Sequence, residues 1–304
     1  MAPGDARRAT KGGDSHRHRV RLIARLCAFA VLALAACTHH APARQVHLGP
    51  KVPARVRRVV TLAPSLTELV LALGAGADLV GVSRYDDAAA VANLPRVGGY
   101  SDPSAETIVR LHPDLVLAQP SPGNHGAVEM VAASGIAVEA FRLESIADIE
   151  FASVRIGKLL GRAPAGQTLV RTIEAARSLA RAAAKKRGKR VRVALLFDTN
   201  PLIAAGPGSF ADELLADAGG TNVVARSTQP FPEVPLDALL ARKPELILVA
   251  PMGKNANALA GLPPVLRAKA VALTSPGILH PGPKIIDALA ELTRVFDQFA
   301  GVGK

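Results

Sequence analysis

Tryptophan is absent from these 304 residues, aromatics make up 3% of them, and there are two tyrosines, three methionines and two cysteines. So few aromatics exclude the base-stacking platforms on which single-stranded nucleic acids are held. Two cysteines, Cys27 and Cys37, exclude a disulfide framework and a four-cysteine zinc site. No G-x-S-x-G elbow, H-E-x-x-H pair or P-loop lysine occurs, so no enzyme is expected. At 49% hydrophobic and 20% charged residues, the chain is not disordered, and its length suits two lobes. The net charge is +12, but residues 1–36 hold seven Lys/Arg and two Asp/Glu, which is +5. The other +7 is thinly spread over 268 residues and marks no nucleic-acid patch.

The N-terminal charge precedes Leu26 to Ala36, an unbroken apolar run of eleven residues. A membrane-spanning helix needs about 20. A basic stretch, a short apolar core and small residues have the layout of a secretory signal. The end of the run, Leu34-Ala35-Ala36-Cys37, resembles the lipobox of bacterial lipoproteins. That resemblance implies cleavage before Cys37, a lipid on its sulfur, and an exported protein anchored to the periplasmic face of a bacterial membrane. Residues 1–36 are then a signal. Residues 37–57 lack periodicity, carry three His and three Pro, and read as a tether. His39 and His40 lack a third ligand at fixed spacing and read as part of that polar stalk.

From Val59 the pattern is α/β. Short apolar runs at 59–63, 79–83, 115–118, 138–141, 191–197, 202–205, 246–249 and 271–273 alternate with helical segments, the pattern of parallel-type sheets covered on both faces. Residues 167–187 run without Gly or Pro, with Leu169, Ile173, Ala176 and Leu179 on one side and Arg171, Glu174, Arg177 and Arg181 on the other. This is one long amphipathic helix. Gly206-Pro207-Gly208-Ser209 reads as a turn into a helix with Ser209 as its N-cap, not as a phosphate cradle.

The two halves repeat. Residues 104–120 and 235–251 align at a constant offset of 131: an acid (Glu106, Asp237), a Pro-acid pair (Pro113-Asp114, Pro244-Glu245), an apolar strand and a closing Pro. The expected body is an N-terminal lobe (58–163), a bridging helix (164–188) and a C-terminal lobe (189–304), with a ligand cleft between the lobes. A structural lipoprotein would need neither the cleft nor the paired acids.

Arg58 to Glu68 (RVVTLAPSLTE), Gly74-Ala75, Leu79 to Ser83 (LVGVS), Leu94 to Gly99 (LPRVGG) and Leu111 to Val116 (LHPDLV) resemble, in order, the helical-backbone periplasmic binding proteins. Those proteins serve ABC importers of cobalamin, haem and ferric siderophores. The resemblance covers about residues 57–301 and comes nearest to the cobalamin-binding group. It implies two lobes on a rigid helix, a monomer, a permease dimer as partner and a tetrapyrrole or siderophore as cargo, with no resident cofactor or metal. Tyr85 matches a pocket aromatic of the family. Tyr100 and Phe231 fall where cobalamin binders often carry Trp, and Ser275, Pro276, Gly277 and His280 fall on the opposite rim. The resemblance also assigns Glu106 and Asp237 to docking on the two permease subunits. Haem is the alternative cargo, with Tyr100, Tyr85 or His280 as axial ligand. A ferric siderophore ranks behind it, because Arg84 and Arg226 alone stand near to grip anionic groups.

Overall fold

The structure, a computed structural model, describes residues 43–224, 226–250 and 259–302. The signal and Cys37 lie outside the described residues. Lobe 1 contains β1 (Gln45–Leu48), β2 (Val59–Thr61), α1 (Pro64–Ala72), β3 (Leu79–Gly81), α2 (Ala105–Arg110), β4 (Leu115–Ala118), α3 (His125–Ala133), β5 (Ala137–Phe141) and α4 (Ile146–Leu159). The bridging helix is α5 (Ala163–Arg187), within a residue of its expected limits. Lobe 2 contains β6 (Val191–Thr199), β7 (Leu202–Ala204), α6 (Phe210–Asp217), β8 (Gly220–Asn222), α7 (Leu236–Ala241), β9 (Leu246–Val249), α8 (Pro264–Arg267), β10 (Ala270–Ala272) and α9 (Ile285–Val302).

The lobe 1 sheet has the order β1-β5-β4-β2-β3, and the lobe 2 sheet the order β10-β9-β6-β7, with β8 also on β6. Each sheet is parallel but for one antiparallel member, β1 on β5 and β7 on β6. Strand β1 corrects the expected tether of 37–57. Its residues pair with Val138–Phe141 across the sheet edge, so lobe 1 begins well before residue 58.

Strands β4 and β9 are buried at every position, as strands covered on both faces must be. Their alternate residues enter different cores. Val116 and Ala118 pack inside lobe 1, and Ile247 and Val249 inside lobe 2. Leu115, Leu117, Leu246 and Leu248 instead join one continuous core with Ile173 and Ala180 of α5. That shared core resists bending between the lobes, because close-packed interiors transmit strain rather than yield.

Helix α5 has 25 residues, about 37 Å at 1.5 Å per residue. Pro164 opens it, and Gly188 at φ 74° ends it in the left-handed conformation a side chain would disfavour. A Cβ on Gly166 would meet Ser153 O at 2.6 Å, so α4 and α5 cross closely because that position is glycine. On the lobe 2 side, Arg177 of α5 pairs with Asp217 at 2.6 Å and Glu213 at 3.4 Å of α6. Arg187 pairs with Asp297 of α9 at 2.7 Å.

Candidate ligand cleft

In open parallel sheets, ligands sit beyond the carboxyl ends of the strands. Here those ends of the two lobes meet. Phe210 N–H of lobe 2 donates to Glu144 O of lobe 1 at 2.6 Å, and Ile146 N–H of lobe 1 donates to Glu213 Oε1 of lobe 2 at 3.0 Å. The loop before α9 also crosses over. Gly282 lies against Ser65 O at the start of α1, while His280 Nδ1 and Lys284 Nζ lie 3.0 and 2.8 Å from Glu68 Oε1.

Both lobes carry aromatic side chains of the predicted set. Phe231 lies edge-on to Phe197 with centroids 5.3 Å apart and 6.4 Å from buried Phe210, and it is 37% exposed. In lobe 1, half-buried Tyr100 donates its hydroxyl to Pro120 O at 3.0 Å. Burial, with a smaller push from the Glu144 carboxylate, raises the Tyr100 pKa, so the phenol keeps its proton. A phenolate ligand for iron would have to overcome that preference. Buried Asn124 holds the loop in place by donating to Tyr100 O and Gln119 O at 2.9 and 2.8 Å. Tyr85 is 60% exposed, stands against Gly99 and lies under the Arg84 guanidinium at 5.7 Å. Arg84 is tied to Asp102, whose hydrogen bond raises its pKa.

The loop at the other rim is pinned to α9, where Thr274 and Ser275 N–H groups donate to the Glu291 carboxylate at 2.8 and 2.9 Å. Ser275 caps the turn that follows, and Pro276 is exposed. Gly277 is buried inside the turn, where a Cβ would meet Lys284 O at 1.9 Å, so the absence of a side chain there shapes the loop. His280 keeps partial exposure, with Nδ1 held by Glu68.

Sequence reasoning passed over the polar groups beneath the junction. Glu68 on α1 and Asp86 after β3 are each 7% exposed, and each keeps one carboxylate oxygen with no partner among the described residues. Burial pushes Asp86 up to about 6, against hydrogen bonds from Thr67 and Ser83 and the Arg96 charge. The one sequence signal was an acid inside the otherwise apolar turn Leu66-Thr67-Glu68-Leu69-Val70.

Glu106 and Asp237 are both exposed acids in the first turns of α2 and α7. Ser209 caps α6 as expected, its Oγ accepting from Asp212 N–H at 3.1 Å. Asp212 and Glu213 in that first turn would repel a phosphate. Among the described residues, no three His, Cys, Asp or Glu side chains are grouped to hold a metal, and no helix is long and apolar enough to cross a membrane. A groove of about 780 Å³ between β1 and α4 is lined by Arg44, Lys51, Phe151 and Arg155; it shares no residue with the junction.

The family model for periplasmic binding proteins matches residues 59–272. This chain belongs to the periplasmic binding protein family. The vitamin B12-binding protein of Salmonella typhimurium is 36% identical over 204 residues, covering 64% of this chain and 72% of that one. The vitamin B12-binding protein of Photorhabdus laumondii is 30% identical over 243 residues, covering 77% and 86%. Among solved structures, the periplasmic haem-binding protein RhuT of Roseiflexus sp. RS-1 superposes with TM-score 0.69 at 26% identity, covering 81% of this chain and 99% of that one. The vitamin B12 binding protein BtuF of Vibrio cholerae gives TM-score 0.68 at 24% identity, covering 82% and 99%, and shares the fold. The family is one of exported solute-binding proteins, not enzymes, and two lobes on a long helix are its architecture.

Proposed function

We propose that this chain is the substrate-binding protein of an ABC importer, that it captures cobalamin or a related corrinoid, and that it delivers it to a membrane permease dimer. The carrying observation is the 36% identity over 204 residues to a vitamin B12-binding protein, supported by the aromatic side chains Tyr85 and Tyr100 of lobe 1 and Phe231 of lobe 2. A flat macrocycle needs wide apolar faces with few polar fixings, and these side chains provide the faces. Ser275, Pro276 and His280 contribute the opposite rim. Absorption titration and calorimetry with cobalamin, cobinamide, haem and a ferric siderophore test the reading. Saturable binding of a corrinoid, tighter than that of the others, is expected; tighter haem or siderophore binding refutes it.

Haem is the second reading, favoured by the likeness to RhuT and to BhuT, a haem-binding protein 27% identical to this chain. Docking uses Glu106 on one permease subunit and Asp237 on the other. The protein acts as a monomer, is exported by residues 1–36, and is held at the membrane by a lipid on Cys37. Intact mass of the mature wild-type and Cys37→Ser proteins tests the anchor: a wild-type chain recovered without lipid ends that part of the reading.

A further inference from the structure

The groove between β1 and α4 takes no part in the ligand junction, and its chemistry is of another kind. Alternate residues of a strand face opposite sides of its sheet. Gln45 and His47 of β1 line the groove, whereas Val46 and Leu48 border the apolar space beside Val128 of α3. Val52, Phe151 and Leu159 give the groove an apolar floor, partly buried against the main core. Arg44, Lys51 and Arg155 line it as well. The two acids beside them are buried and already matched. Asp148 has Arg44 at 3.2 Å and Arg142 at 3.1 Å, and Glu139 has Gln45 and, at 3.0 Å, His47. Four cations against two acids leave a surplus of two positive charges before His47 is counted. Gln45 Oε1 also accepts from Arg155 Nε at 2.9 Å. That bond fixes the guanidinium at the groove and leaves its two terminal nitrogens without a partner among the described residues. Lys51 is exposed and has no ion-pair partner among the described residues.

Surplus cations over an apolar floor suit an anion that carries apolar carbon; a bare inorganic anion would gain nothing from Phe151 and Leu159. The place of the groove in the chain points to the source. Arg44 is seven residues beyond Cys37, a reach of at most about 25 Å when fully extended. A lipid on Cys37 therefore keeps the groove close to the bilayer surface. We propose that this groove binds the headgroup of an anionic phospholipid, its phosphate on Arg155 and Lys51 and its glycerol and first acyl carbons on Phe151 and Leu159. The inference rests on the anchor reading above and deepens it. The lipid on Cys37 keeps the chain at the membrane, and the groove fixes which side of lobe 1 meets it. A lipid chain joined to a cationic patch is a known two-signal arrangement for membrane attachment. Because the groove shares no residue with the junction, cargo and membrane can be held at once.

The test is flotation of the unlipidated mature chain, residues 37–304 with Cys37→Ser, on two kinds of vesicle: phosphatidylcholine mixed with phosphatidylglycerol, and phosphatidylcholine alone. Residues 44–304 form a compact unit by themselves. The chain should float with the anionic vesicles and stay in solution with the neutral ones. Lys51→Gln with Arg155→Gln should weaken binding to the anionic vesicles about thirtyfold, the worth of two cations at such a surface. Lys185→Gln with Lys186→Gln removes the same charge from the exposed end of α5 and should change binding little. Lys51→Glu, at an exposed side chain, covers the case in which the Arg155 variant fails to fold. Equal losses in the two double variants, or no binding to anionic vesicles, overturn the proposal. Displacement by millimolar inorganic phosphate at constant ionic strength overturns it too, since the groove would then be a site for free anions. These chains carry no lipid, so the result is independent of the anchor. Lipid on natural Cys37 without vesicle binding ends the role of the groove alone, and vesicle binding by a chain whose natural Cys37 lacks lipid ends the anchor alone.

Discussion

Lobes 1 and 2 share one backbone device but not one chemistry. Helices α2 and α7, and strands β4 and β9, begin and end at the same offset of 131. Even the rare turn conformation repeats, with φ 44° at His112 and 50° at Lys243. In each lobe an arginine beside the neighbouring strand reaches the last carbonyls of the helix: Arg58 to Leu111 and His112, Arg192 to Arg242 and Lys243. The acid after the proline then accepts the backbone N–H of that arginine, Asp114 from Arg58 and Glu245 from Arg192. The cleft faces differ. Lobe 1 contributes Tyr85, Tyr100 and the buried acids Glu68 and Asp86, whereas lobe 2 contributes Phe231, the His280 imidazole and the Lys284 ammonium. The repeat keeps what builds a helix–strand unit, while the side chains around the junction differ between the lobes.

The sharpest way to break the symmetry is at the two acids proposed for docking. Charge reversal at both, Glu106→Arg with Asp237→Arg, should abolish uptake in cells while ligand binding and melting temperature stay near wild type. Opposed like charges across an interface cost several kcal/mol. Singly, Glu106→Arg should cost more than Asp237→Arg. Glu106 has the longer side chain and is preset by Arg110 at 3.1 Å, whereas position 241 of lobe 2 is alanine. Normal uptake by the double variant at normal protein levels would leave both acids as helix-start residues only.

Next in size are the aromatic faces. Tyr100→Ala and Phe231→Ala should each weaken corrinoid binding by about 1–3 kcal/mol, the scale of one buried aromatic contact. Tyr100→Phe should cost less, since it removes only the bond to Pro120 O. Calorimetry reads all three. Unchanged affinity in Phe231→Ala would mean that lobe 2 offers no aromatic face.

The bridging helix and the Ser209 cap were legible in the sequence because each is local: a 3.6-residue period and a cap involve neighbours within a turn or two. The repeat was legible because its offset of 131 stays constant over 17 residues. Strand β1 was not legible. Its four residues are of mixed burial, and the strand that orders them lies more than 90 residues away. The Glu68 contacts with His280 and Lys284 escaped for the same reason, spanning more than 210 positions and both lobes.

A third difference is the buried acid Asp86, which keeps an unpartnered carboxylate oxygen, whereas Asp217, at the offset of 131 in lobe 2 and equally buried, is paired with Arg177. The Asp86 pKa stands at about 6, raised from 3.8, so the folded chain binds this proton more tightly than the unfolded chain. Stability from this group is therefore present below about pH 4 and is lost as pH rises toward 6. Two units correspond to about 2–3 kcal/mol at neutral pH. Asp86→Asn should raise the melting temperature at pH 7.5 by several degrees and flatten the difference curve between pH 4 and 6. A variant less stable than wild type at pH 7.5 would show that the carboxylate is needed as an anion.

The smallest effect tests the shared device itself. Asp114 accepts two backbone N–H groups, from Arg57 at 2.7 Å and Arg58 at 2.9 Å, while Glu245 accepts one, from Arg192 at 2.9 Å. Glu245 has Lys189 at 3.5 Å as well, and the Arg192 N–H is the main cause of its lowered pKa. Both acids are partly exposed, so each charge-assisted bond contributes about 1 kcal/mol rather than the larger value of a buried one. Asp114→Ala should therefore cost about 2 kcal/mol and Glu245→Ala about 1, read as shifts of the urea midpoint at unchanged slope. The exposed Lys189 pair adds little, because both side chains keep their water. The two acids have no partner in common, so the double variant should lose the sum. Equal costs would mean that the second N–H of lobe 1 is satisfied by water once Asp114 is gone, and that the two copies are energetically as well as geometrically alike.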